Sequence, residues 1–564
     1  MKFSELEYVR PAKDESLAKI EQLTEELLQA EDEKTSLDIL KRATRLQEDV
    51  VSMSSLSYIR HSVDTRDEFY KEERDYFDEA MPTLMSALNT FMLALLDSPH
   101  RSYLEGVIGT HAFDLIELQT KTISDDVLDD LVQENKLASE YDRLIASAQL
   151  EFDGEKRNLA QMIPYMESSK RETRRDAFNT YYSFFEEHEA KMDDLYDQLV
   201  KVRHKIAITL GFNSFIELAY ARMGRTDYDH EMVATYRDQV RTHIVPIASE
   251  LREKQRKLLE LDHLYFYDEP LADPKGNPTP KGDADQLMDE ASTMFRELSS
   301  DTDAFFTFMR QSEAMDLLAK PGKESGGYCT FLPNWKMPFI FANFNGTKGD
   351  VEVFTHEGGH AYHAFVSRDD EWGLYHGIGM ETAEVHSMSM EFLTWPWMDR
   401  FFGEDADRFR YHHLVGALLF IPYGVAVDHF QQLVFENPEA TPDERKKMWL
   451  KVEAMYLPTR DYDDMEFLKR GNVWKRQGHI FGAPFYYIDY TLAQVMAFWF
   501  WKQAKEDPEK AWQKYDEFCR DSGLKAFRTL LEAHDMPSPF DEGSLGRFIP
   551  SVHDYVSAID PAAL

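Results

Sequence analysis

The stretch Val351-Glu-Val-Phe-Thr-His-Glu-Gly-Gly-His-Ala-Tyr-His-Ala-Phe-Val366 contains His356-Glu357-Gly358-Gly359-His360, a His-Glu-x-x-His pattern. Residues four apart share one face of a helix, so His356 and His360 can turn two imidazoles towards one ion. Glu357 is offset by one position and stands beside that ion without ligating it. Two neutral imidazoles on Zn²⁺, with a carboxylate that takes a proton from water, make the geometry of a zinc hydrolase. Val351, Phe354, Tyr362, Phe365 and Val366 supply the apolar positions of a buried helix. Gly358 and Gly359 oppose the helix by about 1 kcal/mol each relative to Ala. Small residues there imply a ligand or a closely packed backbone against the helix.

A catalytic zinc usually takes three protein ligands and one water. The metzincin pattern needs Gly and then His at the two places where this chain has His363 and Val366, so that subclass fails. The other source is a following helix, and the segment from Glu381 to Trp395 reads as one. Glu384 and Glu391 share a face of it, and Met388 lies on that face too. Spacing alone leaves Glu384, Glu381, His363, His376 and His386 open as third ligand.

Three blocks, in order, carry a family resemblance. The first is Gly326-Gly-Tyr-Cys-Thr330 followed by Pro338-Phe-Ile-Phe-Ala-Asn-Phe-Asn-Gly-Thr347. The second is His356-Glu-Gly-Gly-His-Ala361 with Glu384-Val-His-Ser-Met-Ser-Met-Glu391. The third is His479-Ile-Phe-Gly-Ala-Pro-Phe-Tyr-Tyr-Ile-Asp-Tyr490. Over residues 325–500 the chain resembles the oligoendopeptidase F group of the thimet oligopeptidase family of zinc peptidases. The resemblance implies one Zn²⁺ per chain, with Glu384 joining His356 and His360 as its ligands. It implies Glu357 as general base, and Tyr490, Tyr487 and His479 as the groups that contact the substrate carbonyl and stabilise the oxyanion. Tyr486 is a further substrate-binding candidate, because Tyr486 and Tyr490, four apart, can also present two phenols to one site. Thimet-type relatives carry one more tyrosine near Ala483 and Pro484, which this chain lacks. Glu391 is a candidate to orient a histidine from behind. In this type of peptidase an edge strand beside the metal pairs with the substrate backbone, and Ala342 and Asn343 are the candidates for that pairing. The implied fold is mainly α: a two-lobed helical body around a deep substrate channel, with a small β-sheet next to the zinc helix. Such a channel admits short unfolded oligopeptides and excludes folded proteins.

Bulk properties are those of an ordinary soluble globular protein. The 564 residues include 102 acidic and 63 basic side chains, a net charge of −39. Such a surface repels nucleic acid and anionic membranes, so neither is an expected partner, and no obligate protein partner is evident. Cys329 and Cys519, the two cysteines, imply no disulfide framework and fit a reducing cytoplasm. Cys329 is expected to pack as a small hydrophobe. The N-terminus lacks a signal-peptide core, and no stretch reaches the roughly 18 apolar residues that cross a bilayer. The expected location is cytoplasmic.

Along the chain, helices are predicted from Asp14 to about Ser54, from Arg66 to about Leu96, and onward to about Leu210 with few strand signals. Arg171-Glu-Thr-Arg-Arg175 reads as a solvated helix face. A long helix is predicted from about Glu231 to Leu261. Pro338 to Phe344 is the best strand in the chain. Val415 to Val427, interrupted by Pro422, reads as a buried helix. Thr441-Pro-Asp-Glu444 is a capping box opening a helix through Met455. An apolar helix is predicted over Leu492 to Trp501. The expected organisation is an N-terminal helical lobe over 1–200 and a catalytic lobe over 201–564. The leading function is a zinc endopeptidase. The alternatives are a zinc carboxypeptidase, or a helical peptide-binding protein without catalysis.

Overall fold

In the computed structural model, which describes residues 1–320, 322–324, 326–374 and 376–564, helices dominate and two small sheets interrupt them. The predicted helix from Asp14 divides into Lys13–Leu28 and Glu33–Val63. The division falls at Asp32, whose carboxylate accepts the backbone N–H groups of Lys34 and Thr35 and so starts a new helix. Asp67 caps Glu68–Leu96 in the same way. These three helices bury Ile20, Leu27, Leu40, Leu84 and Phe91 in a core of their own, apart from the main one. The helix predicted over Glu231–Leu261 is also two, His230–His243 and Val245–Leu258. Pro246 sits in the first turn of the second, where its missing N–H costs nothing.

Pro422 does not break its helix. Ala406–Glu436 runs straight through it, with Ile421, Val425, Ala426 and Val427 fully buried. Burial of that apolar face outweighs the roughly 3 kcal/mol that an internal proline costs. The charge run from Arg171 is corrected too. The Arg174 side chain is buried, and it and Arg171 clamp the buried carboxylate of Asp268, each at 2.6 Å. A local charge pattern cannot announce a partner 94 residues away. Two helical stretches, Glu68–Leu96 and Met380–Glu436, are long and apolar enough to cross a membrane by length and composition, more than the sequence reading expected. Of the apolar windows, 39% of the first and 72% of the second are buried inside the protein, where both serve as core.

The larger sheet has three strands, Met315–Leu318, Met337–Phe344 and Tyr328–Leu332, in that spatial order. The predicted strand therefore lies in the middle, parallel to the first neighbour and antiparallel to the second. This corrects the placement of Ala342 and Asn343 on an edge. Ala342 is fully buried and its carbonyl accepts from Lys323 Nζ at 2.5 Å. The Asn343 amide donates to the carbonyls of Glu324 and Gly326 at 2.8 and 2.9 Å. The two edges are Met315–Leu318 and Tyr328–Leu332, and the second is the one beside the predicted zinc helix and its cavity. The N-terminal helix Glu33–Val63 braces it: Ser62 Oγ and the Tyr328 hydroxyl share a 2.5 Å bond, and Asn334 N–H donates to Ser52 Oγ. The second sheet is a hairpin of Leu150–Phe152 and Glu155–Arg157, which the sequence reading missed.

Candidate functional site

The site is built on two crossed helices, Gly349–Val366 and Met380–Leu393. They touch backbone to backbone at Gly359. A Cβ there would stand 2.5 Å from the His386 carbonyl oxygen and 2.7 Å from Ser387 Cα. The glycine that helix propensity disfavours is thus what lets the second helix come close. That approach delivers Glu384, a buried carboxylate, to the face carrying His356 and His360. Glu384 Oε2 lies 3.1 Å from His356 Nε2 and 3.6 Å from His360 Nε2. Among the described residues, these three form the one group of His, Cys, Asp or Glu side chains able to share a metal ion, with ligand atoms within 4.8 Å of one another.

The chemistry of this donor set fits a divalent ion. Trp395 Nε1–H donates to His413 Nδ1 at 3.0 Å, so His413 Nε2 carries its proton and donates to Glu391 Oε2 at 2.7 Å. Glu391 Oε1 in turn accepts from His356 Nδ1 at 2.8 Å. Nδ1 is thus committed to Glu391, and Nε2 is the His356 nitrogen turned towards Glu384 and His360, the one that would ligate a metal. Burial alone would raise the Glu391 carboxyl, yet the hydrogen bonds from His356 and His413 hold it down at about 2. Burial would likewise raise Glu384, while His360 and His356 keep it well below the usual carboxylate range. Both carboxylates therefore stay charged, and the site favours a cation. Ser387 Oγ and the Tyr486 hydroxyl each donate to Glu384 and fix its orientation.

The other residues that spacing left open lie elsewhere. His376 is held by Asp370 and by the Ile108 carbonyl. His363 and His386 stack on each other with ring centres 4.3 Å apart, and His386 reaches Ser522. Glu381 accepts from the Tyr228 hydroxyl.

Glu357 faces a cavity of about 870 Å³. Its side chain is buried, and Oε2 has no hydrogen-bond partner. Burial raises its carboxyl above the ordinary value, against the pull of His356 and His360. A buried, unpartnered oxygen beside a cation site is poised to accept a proton. The edge strand forms one wall of the cavity, and just before it a Cβ at Gly327 would stand only 3.0 Å from Val353 and 3.4 Å from Glu357. Cys329 lines the same wall rather than packing wholly within the core. Lys41, Arg45 and Glu48 of the Glu33–Val63 helix line it as well.

His479, Tyr486 and Tyr490 line the cavity; Tyr487 does not. Tyr487 packs edge-on against Phe420 and Tyr423, at 5.8 and 6.0 Å. The division follows from Phe485, whose φ of 65° lies in the left-handed region. Its N–H donates to Gln431 Oε1 at 3.1 Å, and its carbonyl accepts from Arg225 Nη2 at 2.7 Å. Arg225 also pairs with Asp489 at 2.6 Å, both wholly buried. This clamp fixes where the helix Tyr487–Glu506 begins, several residues before the predicted start at Leu492. Tyr486 and Tyr490 then fall on one side, with ring centres 4.8 Å apart. Tyr490 and His479 meet at 3.3 Å. Sequence reading did not find Gln431, Arg225, His413, Trp395 or Gln477; Arg225 and Gln431 act 260 and 54 residues away along the chain, Trp395 and His413 act between elements, and no local pattern marks Gln477, although it lies two residues from His479.

Comparison with known proteins agrees with this geometry. The model of Peptidase family M3 matches residues 164–276 and 302–541, more than half the chain. The Peptidase M3 N-terminal domain matches residues 3–123. Oligopeptidase PepF of Bacillus subtilis (strain 168) is 21% identical over 392 residues, covering 65% of this chain and 55% of that protein. The chain spans about half the length of the curated relatives it matches. Among solved structures, PZ peptidase A with an inhibitor is 48% identical, with a TM-score of 0.98 and all of both chains covered. A Bacillus anthracis structure bearing the provisional name oligoendopeptidase F is 46% identical, with a TM-score of 0.93 over 100% of this chain and 99% of that one. The chain belongs to peptidase family M3.

Proposed function

We propose that this protein is a zinc metalloendopeptidase that hydrolyses internal peptide bonds of short, unfolded oligopeptides. The observation that carries the reading is the meeting of His356, His360 and Glu384 with the unpartnered Glu357 Oε2 in one cavity walled by the edge strand Tyr328–Leu332. Two imidazoles and one carboxylate suit Zn²⁺, with Co²⁺ or Mn²⁺ as possible substitutes. When bound, the ion supplies Lewis acidity, acidifying water and polarising the carbonyl under attack.

The chain's own groups do the rest. Glu357 Oε2 takes a proton from the attacking water and passes it to the leaving amine nitrogen. The Tyr490 hydroxyl, supported by His479, donates to the carbonyl oxygen as it gathers charge. Tyr486 replaces Tyr487 as its companion in this reading, since Tyr486 lines the cavity and bonds Glu384. Glu391 orients His356. The edge strand Tyr328–Leu332, in place of Ala342 and Asn343, pairs with the backbone of an extended peptide. The 1–200 portion forms an N-terminal lobe that walls the cavity, and 201–564 forms the catalytic lobe. Cytoplasmic peptides are the substrates, consistent with two unpaired cysteines. The names of PepF and oligoendopeptidase F support this choice of substrate class.

The test is mass spectrometry of a peptide mixture, about 5 to 40 residues long and blocked at both ends, a span that brackets what a narrow cleft admits. Internal cuts confined to the shorter peptides, and lost with a chelator, are expected. Trimming only after the C-termini are freed would make the protein a carboxypeptidase. No cleavage of either set would leave a binding protein.

A further inference from the structure

Behind His479 lies a pair of residues that no catalytic role has claimed. The Tyr423 hydroxyl donates to Gln477 Oε1 at 3.1 Å. The other end of the same amide, Gln477 Nε2, meets His479 Nδ1 at 2.8 Å. An amide nitrogen only donates, so His479 Nδ1 must present its lone pair. A neutral imidazole carries one proton, which is thereby placed on Nε2. His479 Nε2 is the atom 3.3 Å from the Tyr490 oxygen. It therefore donates to that oxygen, and the Tyr490 proton is released from His479, to be shared between the neighbouring Tyr486 oxygen and an acceptor in the cavity. Burial keeps His479 neutral, against the opposing charge of Glu384.

We propose that Gln477 is a positioning residue for hydrolysis: with Tyr423 behind it, it sets the His479 tautomer and so makes Tyr490 a donor to the substrate carbonyl. The direction matters. If the amide were turned over, Gln477 Oε1 would accept from His479 Nδ1–H, and Nε2 would then draw the Tyr490 proton away from the cavity. The same four side chains would hold the same places, and the carbonyl would lose its donor. The tyrosine rings around His479, Tyr486, Tyr487 and Tyr490 at 5.0 to 5.6 Å, leave it no other protein partner for Nε2 among the bonds described. Gln477 is held in turn through its backbone N–H, which donates to the Trp474 carbonyl at 2.9 Å. The proposal rests on the role given to Tyr490 above.

The test begins with nitrogen NMR of histidine-labelled protein, metal-free and zinc-loaded, with His479→Gln identifying the signal. A proton on Nε2 and a bare Nδ1 are expected in the parent. A proton on Nδ1 overturns the proposal whatever the Gln477 variant does. Gln477→Glu then supplies an acceptor where the donor stood, and the expected spectrum moves the proton to Nδ1. Its kcat should fall towards that of Tyr490→Phe, about 10²-fold as for loss of one donor to a developing oxyanion, with KM little changed. Combining the two substitutions should be no slower than Tyr490→Phe alone, because both remove one interaction. Parent-like kcat in Gln477→Glu, with Tyr490→Phe slow, overturns the proposal. Parent-like kcat in Tyr490→Phe instead defeats the earlier reading of Tyr490, while the nitrogen spectrum still decides the tautomer.

Discussion

Glu357→Gln is expected to bind metal as the parent does and to lose about 10²- to 10⁴-fold in kcat, the range a general base contributes. The substitution changes little else. Gln has the same shape, and Gly327 gives the side chain the same clearance. Glu357 Oε2 has no hydrogen-bond partner to lose. The three proposed ligands lie on other residues, so metal content measured on the purified variant should match the parent. What the amide cannot do is carry a proton from water to the leaving nitrogen. Turnover of a blocked, internally quenched peptide checks this, and a near-normal rate would remove Glu357 from the reaction.

Glu384→Gln should act earlier, on the ion itself. Glu384 Oε2 is the charge shared by His356 and His360, and a neutral amide does not supply that charge. Glu391→Gln supplies the scale. It removes the carboxylate that accepts from both His356 Nδ1 and His413 Nε2, and loss of such support costs about 10- to 100-fold in metal affinity in comparable sites. Loss of a ligating carboxylate should exceed that and empty the site at micromolar zinc. Competition with a chromophoric chelator orders the three proteins. The expected order of affinity is parent, then Glu391→Gln, then Glu384→Gln. Equal affinity in Glu384→Gln and parent would take Glu384 out of the ligand set.

How much of this could be read beforehand follows from distance along the chain. His356 and His360 declare themselves because one helical turn brings them together. Glu384 could be chosen only through a family resemblance. Its arrival depends on the backbone contact at Gly359, a tertiary event that spacing does not encode. Pro338 to Phe344 was legible as a strand from its own residues, yet its place in the middle of the sheet depends on two other strands. The substrate edge therefore moved to Tyr328–Leu332. Tyr486 and Tyr487 are neighbours in sequence, and which faces the cavity is settled by the left-handed turn at Phe485. That turn is held by Arg225 and Gln431, 260 and 54 residues away. Arg174 teaches the same lesson for charge, since its partner Asp268 lies 94 residues on. Patterns with a period inside one element were visible, and pairings between elements were not.

The central claim is that one ion, held by His356, His360 and Glu384, makes this cavity a site of internal peptide cleavage. Stripping the protein of metal and titrating zinc back, while following cleavage of a peptide blocked at both ends, tests it most directly. The account predicts no cleavage at the start and a linear recovery that levels off at one zinc per chain. Full cleavage by the metal-free protein, or none once one equivalent is bound, would contradict it.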